Sequence, residues 1–202
     1  MALVSAATLK EYLPELSGST AADTDLNSLI SRVESSIARF LGFPLPDSGY
    51  SPTLDQSTYT FFLDGPASWD SRVLQLPIMP VQATVNVYVD SDRVYGSGTI
   101  VPSTEYDIDI QKGIFILKET STKSWERGYR YINATVIAGW STAPNDLIQA
   151  ICIMASMAQR NKANAGKESV DVRGSKITIS KKTMPQEVKE ILYPLRSSAM
   201  YL

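Results

Sequence analysis

The segment that most constrains the fold is Leu147 to Ala158, LIQAICIMASMA, twelve residues without a charge. It follows Tyr131–Ile137, whose β-branched and aromatic side chains predict a strand, and Gly139, which lets the chain bend. Ser141 and Thr142 are candidate helix caps, Pro144 suits a first turn, and Asp146 places negative charge at the positive end of the helix dipole. Polar residues occur only at Gln149 and Ser156, on one narrow stripe that Arg160 continues, so nearly the whole circumference must be covered by protein. Two arrangements meet that demand: a central helix surrounded by its own domain, or a helix with core on one side and a neighbouring subunit on the other.

The remaining chain is long enough, at 202 residues with 44% hydrophobic content, to build a real core around that helix. It contains no histidine, which rules out Ser-His and Cys-His catalysis and argues against a zinc site. The single Cys152 lies within the apolar helix, so no intrachain disulfide can form and a small buried hydrophobe is the expected role. The opening MALVSAATLKEYL has neither a basic start nor a long apolar run, and the apolar helix is too short to span a bilayer. These features predict a soluble protein folded inside the cell, without a membrane partner. The net charge of −2 hides an asymmetry: Arg160–Leu202 holds nine Lys or Arg against four Asp or Glu, a balance of +5, leaving −7 on the preceding residues. A basic end can be a solvated face or can attract nucleic acid or an acidic protein surface. Tyr193 and Tyr201 are its only rings, too few for a base-stacking platform.

Helical patterning opens the chain. Thr8 and Glu11 have capping-box spacing for a short helix with an apolar face of Leu9, Tyr12, Leu13 and Leu16. Asp23 or Thr24 caps a longer one, apolar at Leu26, Leu29, Ile30, Val33, Ile37, Phe40 and Leu41 and stopped by Gly42. A proline-containing loop leads to predicted strands at Ser57–Leu63, Arg72–Leu76 and Ala83–Asp90, a polar loop at 90–104, and a hairpin of Tyr106–Ile110 and Ile114–Leu117. After the apolar helix, alternation on either side of Gly174-Ser175 predicts a second hairpin turning on those two residues. Pro185–Leu192 reads as a terminal helix limited by Pro194, followed by a tail at 197–202. The expected class is α+β: about four helices in a bundle, a β-rich central insertion, and a short β-hairpin before the C-terminal helix. One domain, 1–202, is expected, comprising an N-terminal helix pair (1–42), a β-rich middle (43–138), the buried helix (139–163) and the hairpin, terminal helix and tail (164–202).

Candidate chemistry is sparse. Asp107 and Asp109, two apart on a predicted strand, share a side and are compatible with a cation site or with a solvated strand face. No phosphate-binding loop is present, and neither an enzyme activity nor a cofactor or metal is expected.

Three passages together resemble a known family. LVSAATLKEYL with TDLNSLISRVESSIARFLG, ATVIAGWSTAPNDLIQAICIMASMAQR, and GKESVDVRGSKITISKKTMPQEVKEILYPLR are similar, in that order, to the head–tail connector (adaptor, or DNA-packaging neck) proteins of tailed bacteriophages. The likeness covers roughly the first 42 and last 70 residues; the middle is enlarged, and YPLR stands where the family tends to end in Pro-Tyr-Arg. The resemblance implies a structural ring subunit, of about twelve copies matching the portal, that extends the DNA channel, retains DNA without sequence specificity and receives a stopper or tail protein. It implies a place in the virion neck after assembly in the host bacterial cytoplasm. On this basis Ile191, Leu192, Tyr193, Leu195, Arg196, Tyr201 and Leu202 are the expected portal contacts, and Ile148, Cys152, Ala155 and Gln159 the expected subunit interface. The alternatives are a stopper or tail-completion protein, richer in β-structure, and a carbohydrate- or cell-surface-binding module using Trp69, Trp125 and Trp140.

Overall fold

The computed structural model describes residues 3–66, 72–162, 169–172, 175–178 and 184–196, with backbone alone for the four-residue segments 169–172 and 175–178. The chain is α+β and forms two compact units. Unit 1 comprises Met1–Ile37 and Thr142–Leu195; unit 2 comprises Ala38–Ser141 and Arg196–Leu202.

Unit 1 contains most of the α-helical residues. Helix α1 (Ala6–Lys10) begins earlier than the Thr8–Glu11 spacing implies: Ser5 has the extended backbone that an N-cap needs, and its Oγ accepts the Thr8 N–H at 3.2 Å. Leu9 and Leu13 are fully buried, but Tyr12, expected on the same apolar face, is exposed. Helix α2 (Asp23–Leu41) matches its periodicity, with Leu26, Ile30, Val33 and Ile37 buried in this unit. Glu34 is buried beside them, and its carboxylate accepts the backbone N–H groups of Leu3 (2.8 Å) and Val4 (3.2 Å), which ties the start of the chain to α2.

Helix α3 (Asn145–Arg160) is the apolar helix. Neither Ser141 nor Thr142 caps it: Pro144 occupies the N-cap with an extended backbone and no side-chain bond, and its carbonyl starts the ladder by accepting the Ile148 N–H at 3.1 Å. At the other end Arg160 donates from Nη2 to the Tyr12 carbonyl (3.1 Å) and pairs with Glu15 (3.5 Å). Strands β7 (Ser169–Val172) and β8 (Ser175–Thr178) pair antiparallel with Val172 opposite Ser175; Ser175, expected in the turn, belongs to the strand, and Gly174 lies outside the described residues. Helix α4 (Gln186–Leu192) then packs on α3 with Val188 and Leu192 fully buried, and a 3-10 turn, Tyr193–Leu195, follows.

Unit 2 begins with the end of α2. Gly42, at φ 86°, lets its own N–H reach the Arg39 carbonyl and the Phe43 N–H reach that of Ala38, the pair of bonds that closes a helix C-terminus. Two antiparallel three-stranded sheets follow. In the first, β6 (Ile132–Ala138) lies between β1 (Ser57–Leu63) and β3 (Val81–Val89), with Tyr59 opposite Val136 and Val87 opposite Ala134. Strand alternation puts Ile132, Ala134, Val136 and Ala138 in the core, joined by Tyr59, Val81 and Val87. In the second, β5 (Ile114–Leu117) lies between β2 (Val73–Gln75) and β4 (Tyr106–Asp109), and β4–β5 is the expected hairpin. Its core is aromatic: Phe115 meets Tyr106 edge-on at 5.2 Å and Trp125 at 6.3 Å, and the buried Trp125 donates Nε1–H to the Arg72 carbonyl at 2.9 Å.

Candidate assembly surfaces

On α3, Leu147, Ala150, Ile151, Cys152, Met154, Ala155 and Ser156 are buried within the chain itself. The expected interface set therefore separates by depth: Cys152 and Ala155 are fully buried, whereas Ile148 and Gln159 are half-buried and reachable. The lack of charge implied complete cover, but Gln149, Met157 and Ala158 are exposed, and uncharged residues need not be core. The terminal set divides likewise. Leu192 belongs to the core; Ile191, Leu195 and Arg196 are half-buried; Tyr193 is 59% exposed; Tyr201 and Leu202 lie outside the described residues. Arg196 stands over the Phe40 ring at 5.3 Å.

Burial, and then the charge of Glu11, pushes the Cys152 thiol up from 9.0 to about 11. In unit 2, burial and then the Asp47 carboxylate push the Tyr59 hydroxyl up from 10.0 to about 12. Both are acids whose neutral form is favoured by folding. Their stabilisation is complete below pH 9 and is lost as the pH rises, through 9.0 to about 11 for Cys152 and through 10.0 to about 12 for Tyr59. Urea unfolding should accordingly give a midpoint that declines above about pH 9. A thiol reagent at pH 8 should label Cys152 only at the rate at which the protein opens; immediate full labelling of the native protein would contradict this burial.

Two carboxylates that the sequence did not single out organise loops of unit 2. Asp90 accepts the backbone N–H groups of Tyr95 (2.7 Å), Asp92 (2.9 Å) and Val94 (3.1 Å), bonds that hold its carboxyl below the usual range, that of Tyr95 contributing most. Arg93 and Tyr95 adopt positive φ in this loop, and the Tyr95 hydroxyl donates to the carbonyl of Arg130, itself at φ 54° and with its guanidinium 4.5 Å from the Phe62 ring centre. Asp47 performs the second task. Its N–H donates to the Thr58 carbonyl (3.0 Å), its Oδ1 accepts the Thr60 N–H (3.0 Å) and its Oδ2 accepts the Thr60 hydroxyl (2.7 Å), so it pins the 43–55 loop along the outer edge of β1. An acidic residue after a proline in a turn-rich stretch is the only signal that could have suggested it.

The remaining candidates are engaged in the fold. Asp107 is paired with Lys118 and Asp109 with Lys112, each at 3.6 Å, and among the described residues no three His, Cys, Asp or Glu side chains converge on a metal-sized site. Trp125 is buried, Trp140 stacks on Phe43 at 5.5 Å, and Trp69 lies outside the described residues. No described helix is long and apolar enough to cross a membrane.

No protein-family model matches the chain. No curated protein matches it either. Solved structures do. A chain from "Neck of native GTA particle computed with C12 symmetry" superposes with a TM-score of 0.54 at 18% identity, over 95% of this chain and 89% of that one. One from "Neck of empty GTA particle computed with C6 symmetry" gives 0.56 at 18%, over 94% and 88%. One from "Virion of native gene transfer agent (GTA) particle" gives 0.54 at 18%, over 96% and 92%. The chain thus shares its fold, over 94–96% of its length, with chains of a gene transfer agent particle and its neck.

Proposed function

We propose that this chain is a structural, non-enzymatic head–tail connector (adaptor) subunit of a tailed phage or phage-like particle. It acts as one connector domain over 1–202, in a ring of about twelve copies beneath the portal. The ring extends the DNA channel, lets DNA pass without sequence specificity, and joins the capsid to a stopper or tail protein. Its location would be the virion neck, after assembly in the bacterial cytoplasm. The observation that carries the proposal is the near full-length likeness to neck chains solved with C12 and C6 symmetry, which agrees with the order of sequence passages found independently. The nineteen-residue α2 and sixteen-residue α3 favour an adaptor over a stopper dominated by β-structure.

In this proposal Ile148 and Gln159 meet the neighbouring subunit directly, while Cys152 and Ala155 set the shape of α3 beneath them. Tyr193, with Ile191, Leu195, Arg196, Tyr201 and Leu202, contacts the portal, and Leu192 anchors α4 so that Tyr193 is held outward. Tyr193→Ala, and separately a chain ending at Arg196, should each weaken binding to the cognate portal by about tenfold or more while leaving the thermal midpoint near wild type. Unchanged portal binding by both variants would refute the terminal assignment.

A further inference from the structure

Among the described residues three other than glycine adopt positive φ: Arg93 (61°), Tyr95 (53°) and Arg130 (54°). A β-carbon makes that conformation costly, and such strain persists only where surrounding bonds impose it. All three lie at one end of the first sheet of unit 2, in the segments that follow β3 and precede β6. The bonds that impose it are in place. Asp90 holds the N–H groups of Asp92, Val94 and Tyr95, and the Tyr95 hydroxyl holds the Arg130 carbonyl. Just past β1, Asp64 accepts the Arg130 N–H at 2.8 Å and the Gly65 N–H donates to the Gly128 carbonyl at 2.9 Å.

These joined segments present a platform of rings and guanidinium groups. The Tyr95 ring packs on Phe62 at 5.6 Å and on Tyr88 at 6.5 Å, and the Arg130 guanidinium stands 4.5 Å over Phe62. Phe62 is 44% exposed, Tyr129 66% and Val94 78%. Among the described residues no ion pair joins Arg93, Arg127 or Arg130 to a carboxylate. Asp64 and Asp90 are taken by backbone N–H groups, so three guanidiniums stand against two remaining carboxylates, Asp92 and Glu126. Aromatic rings and arginines dominate binding energy at protein contacts, and fixing them in advance lowers the cost of docking.

The opposite end of the same sheet carries a counterpart. The 43–55 loop is rooted there: Phe43 stacks on Trp140 at 5.5 Å, just past β6, and the Trp140 N–H donates to the Leu54 carbonyl at 2.9 Å. Pro44, Pro46 and Pro52 stiffen the loop, yet Leu45 is 59% exposed and Tyr50 is wholly exposed. The loop carries Asp47 and Asp55 but no Lys or Arg, and Asp47 bonds neutral donors, the Thr60 N–H and hydroxyl. An anionic loop with two apolar anchors is complementary to rings flanked by arginines. The seven residues of β6 set the two ends roughly 20 Å apart. A closed ring requires two different, mutually complementary surfaces on each copy, whereas a two-fold dimer uses one patch twice.

We propose that the 43–55 loop of each copy docks on the platform of Phe62, Tyr129 and Arg130 of the adjacent copy, with Leu45 and Tyr50 against the rings and the loop's negative charge toward Arg93, Arg127 and Arg130. The inference rests on the ring reading above.

Native mass spectrometry of the full-length chain, titrated alone and with its cognate portal, reads copy-to-copy association. Tyr50→Ala and Tyr129→Ala should each weaken it by about tenfold or more by removing an anchor. Ser51 and Arg127 are both exposed. Ser51→Lys and Arg127→Glu should each weaken association comparably, and both in one chain should recover part of the loss, because opposite charges again face each other across the contact. Circular dichroism identifies any variant that fails to fold, and recovery by the charge exchange cannot arise from misfolding. Variants that all associate on the portal as wild type does would overturn the proposal while leaving the ring reading intact. So would variants that keep the ring but lose capture of the stopper or tail protein, which would assign the platform to that partner. A wild-type chain that forms no ring even on the portal would overturn the ring reading and this contact with it.

Discussion

Gly139→Ala should destabilise unit 2 by about 3 kcal/mol, the sum of backbone strain and overpacking that each cost roughly 1–3 kcal/mol. Gly139 has φ 106°, outside the range that an L side chain adopts readily, and an added Cβ would lie 2.5 Å from the Asp55 carbonyl oxygen and 2.8 Å from that of Leu54. Those neighbours cannot withdraw easily. The Trp140 N–H donates to the Leu54 carbonyl at 2.9 Å, and Asp55 bridges Trp140 in parallel, so the clash is with backbone that the turn itself requires. For a chain of this length such a loss should lower the thermal midpoint by roughly 6–12 °C. A midpoint within 1 °C of wild type would mean that the turn relaxes and that Gly139 is not its determinant.

Trp125→Ala should cost about 3–5 kcal/mol, as expected for emptying the space of a large buried ring. The indole is fully enclosed, meets Phe115 at 6.3 Å and donates to the Arg72 carbonyl at 2.9 Å, linking the segment after β5 to the start of β2. Trp125→Phe separates the two contributions. The Arg72 carbonyl would keep its second donor, the Leu117 N–H at 2.9 Å, so only about 1 kcal/mol should be attributable to the lost bond, plus a smaller packing loss. Urea denaturation followed by circular dichroism measures both variants. Equal losses for Ala and Phe would contradict the view that packing dominates at this site.

Periodic segments were legible in the sequence because their determinants are local. Ser57–Leu63 appears as a strand over that range, the 106–117 hairpin has its expected arms except that β4 ends at Asp109, one residue short of Ile110, and α2 ends where Gly42 can take positive φ. Such features depend on side-chain spacing of two or 3.6 residues, which a linear sequence displays directly. The pairing order did not appear. That β6 lies between β1 and β3 is fixed by which faces pack together, with Thr60 and its partner Thr135 75 positions apart, and strand patterning carries no record of the partner. Caps were misplaced where several short polar residues compete, and backbone conformation decided for Ser5 over Thr8.

For the candidate surfaces, composition revealed the apolar character of α3 but not which of its residues face outward. Cys152 and Met157 are both apolar in the sequence, yet one is fully buried and the other 42% exposed. Glu34, Asp47 and Asp90 were missed for a related reason. Each carboxylate is defined by the backbone N–H groups it accepts, and Glu34 finds its partners about 30 residues away at Leu3 and Val4.

The central claim is that copies of this chain form a ring on a portal, and native mass spectrometry of the purified protein with its cognate portal tests it most directly. The account predicts a complex in which the number of copies matches the portal's symmetry, about twelve, whether the chain alone is a monomer or a ring. A chain that stays strictly monomeric and does not bind the portal at any accessible concentration would contradict it.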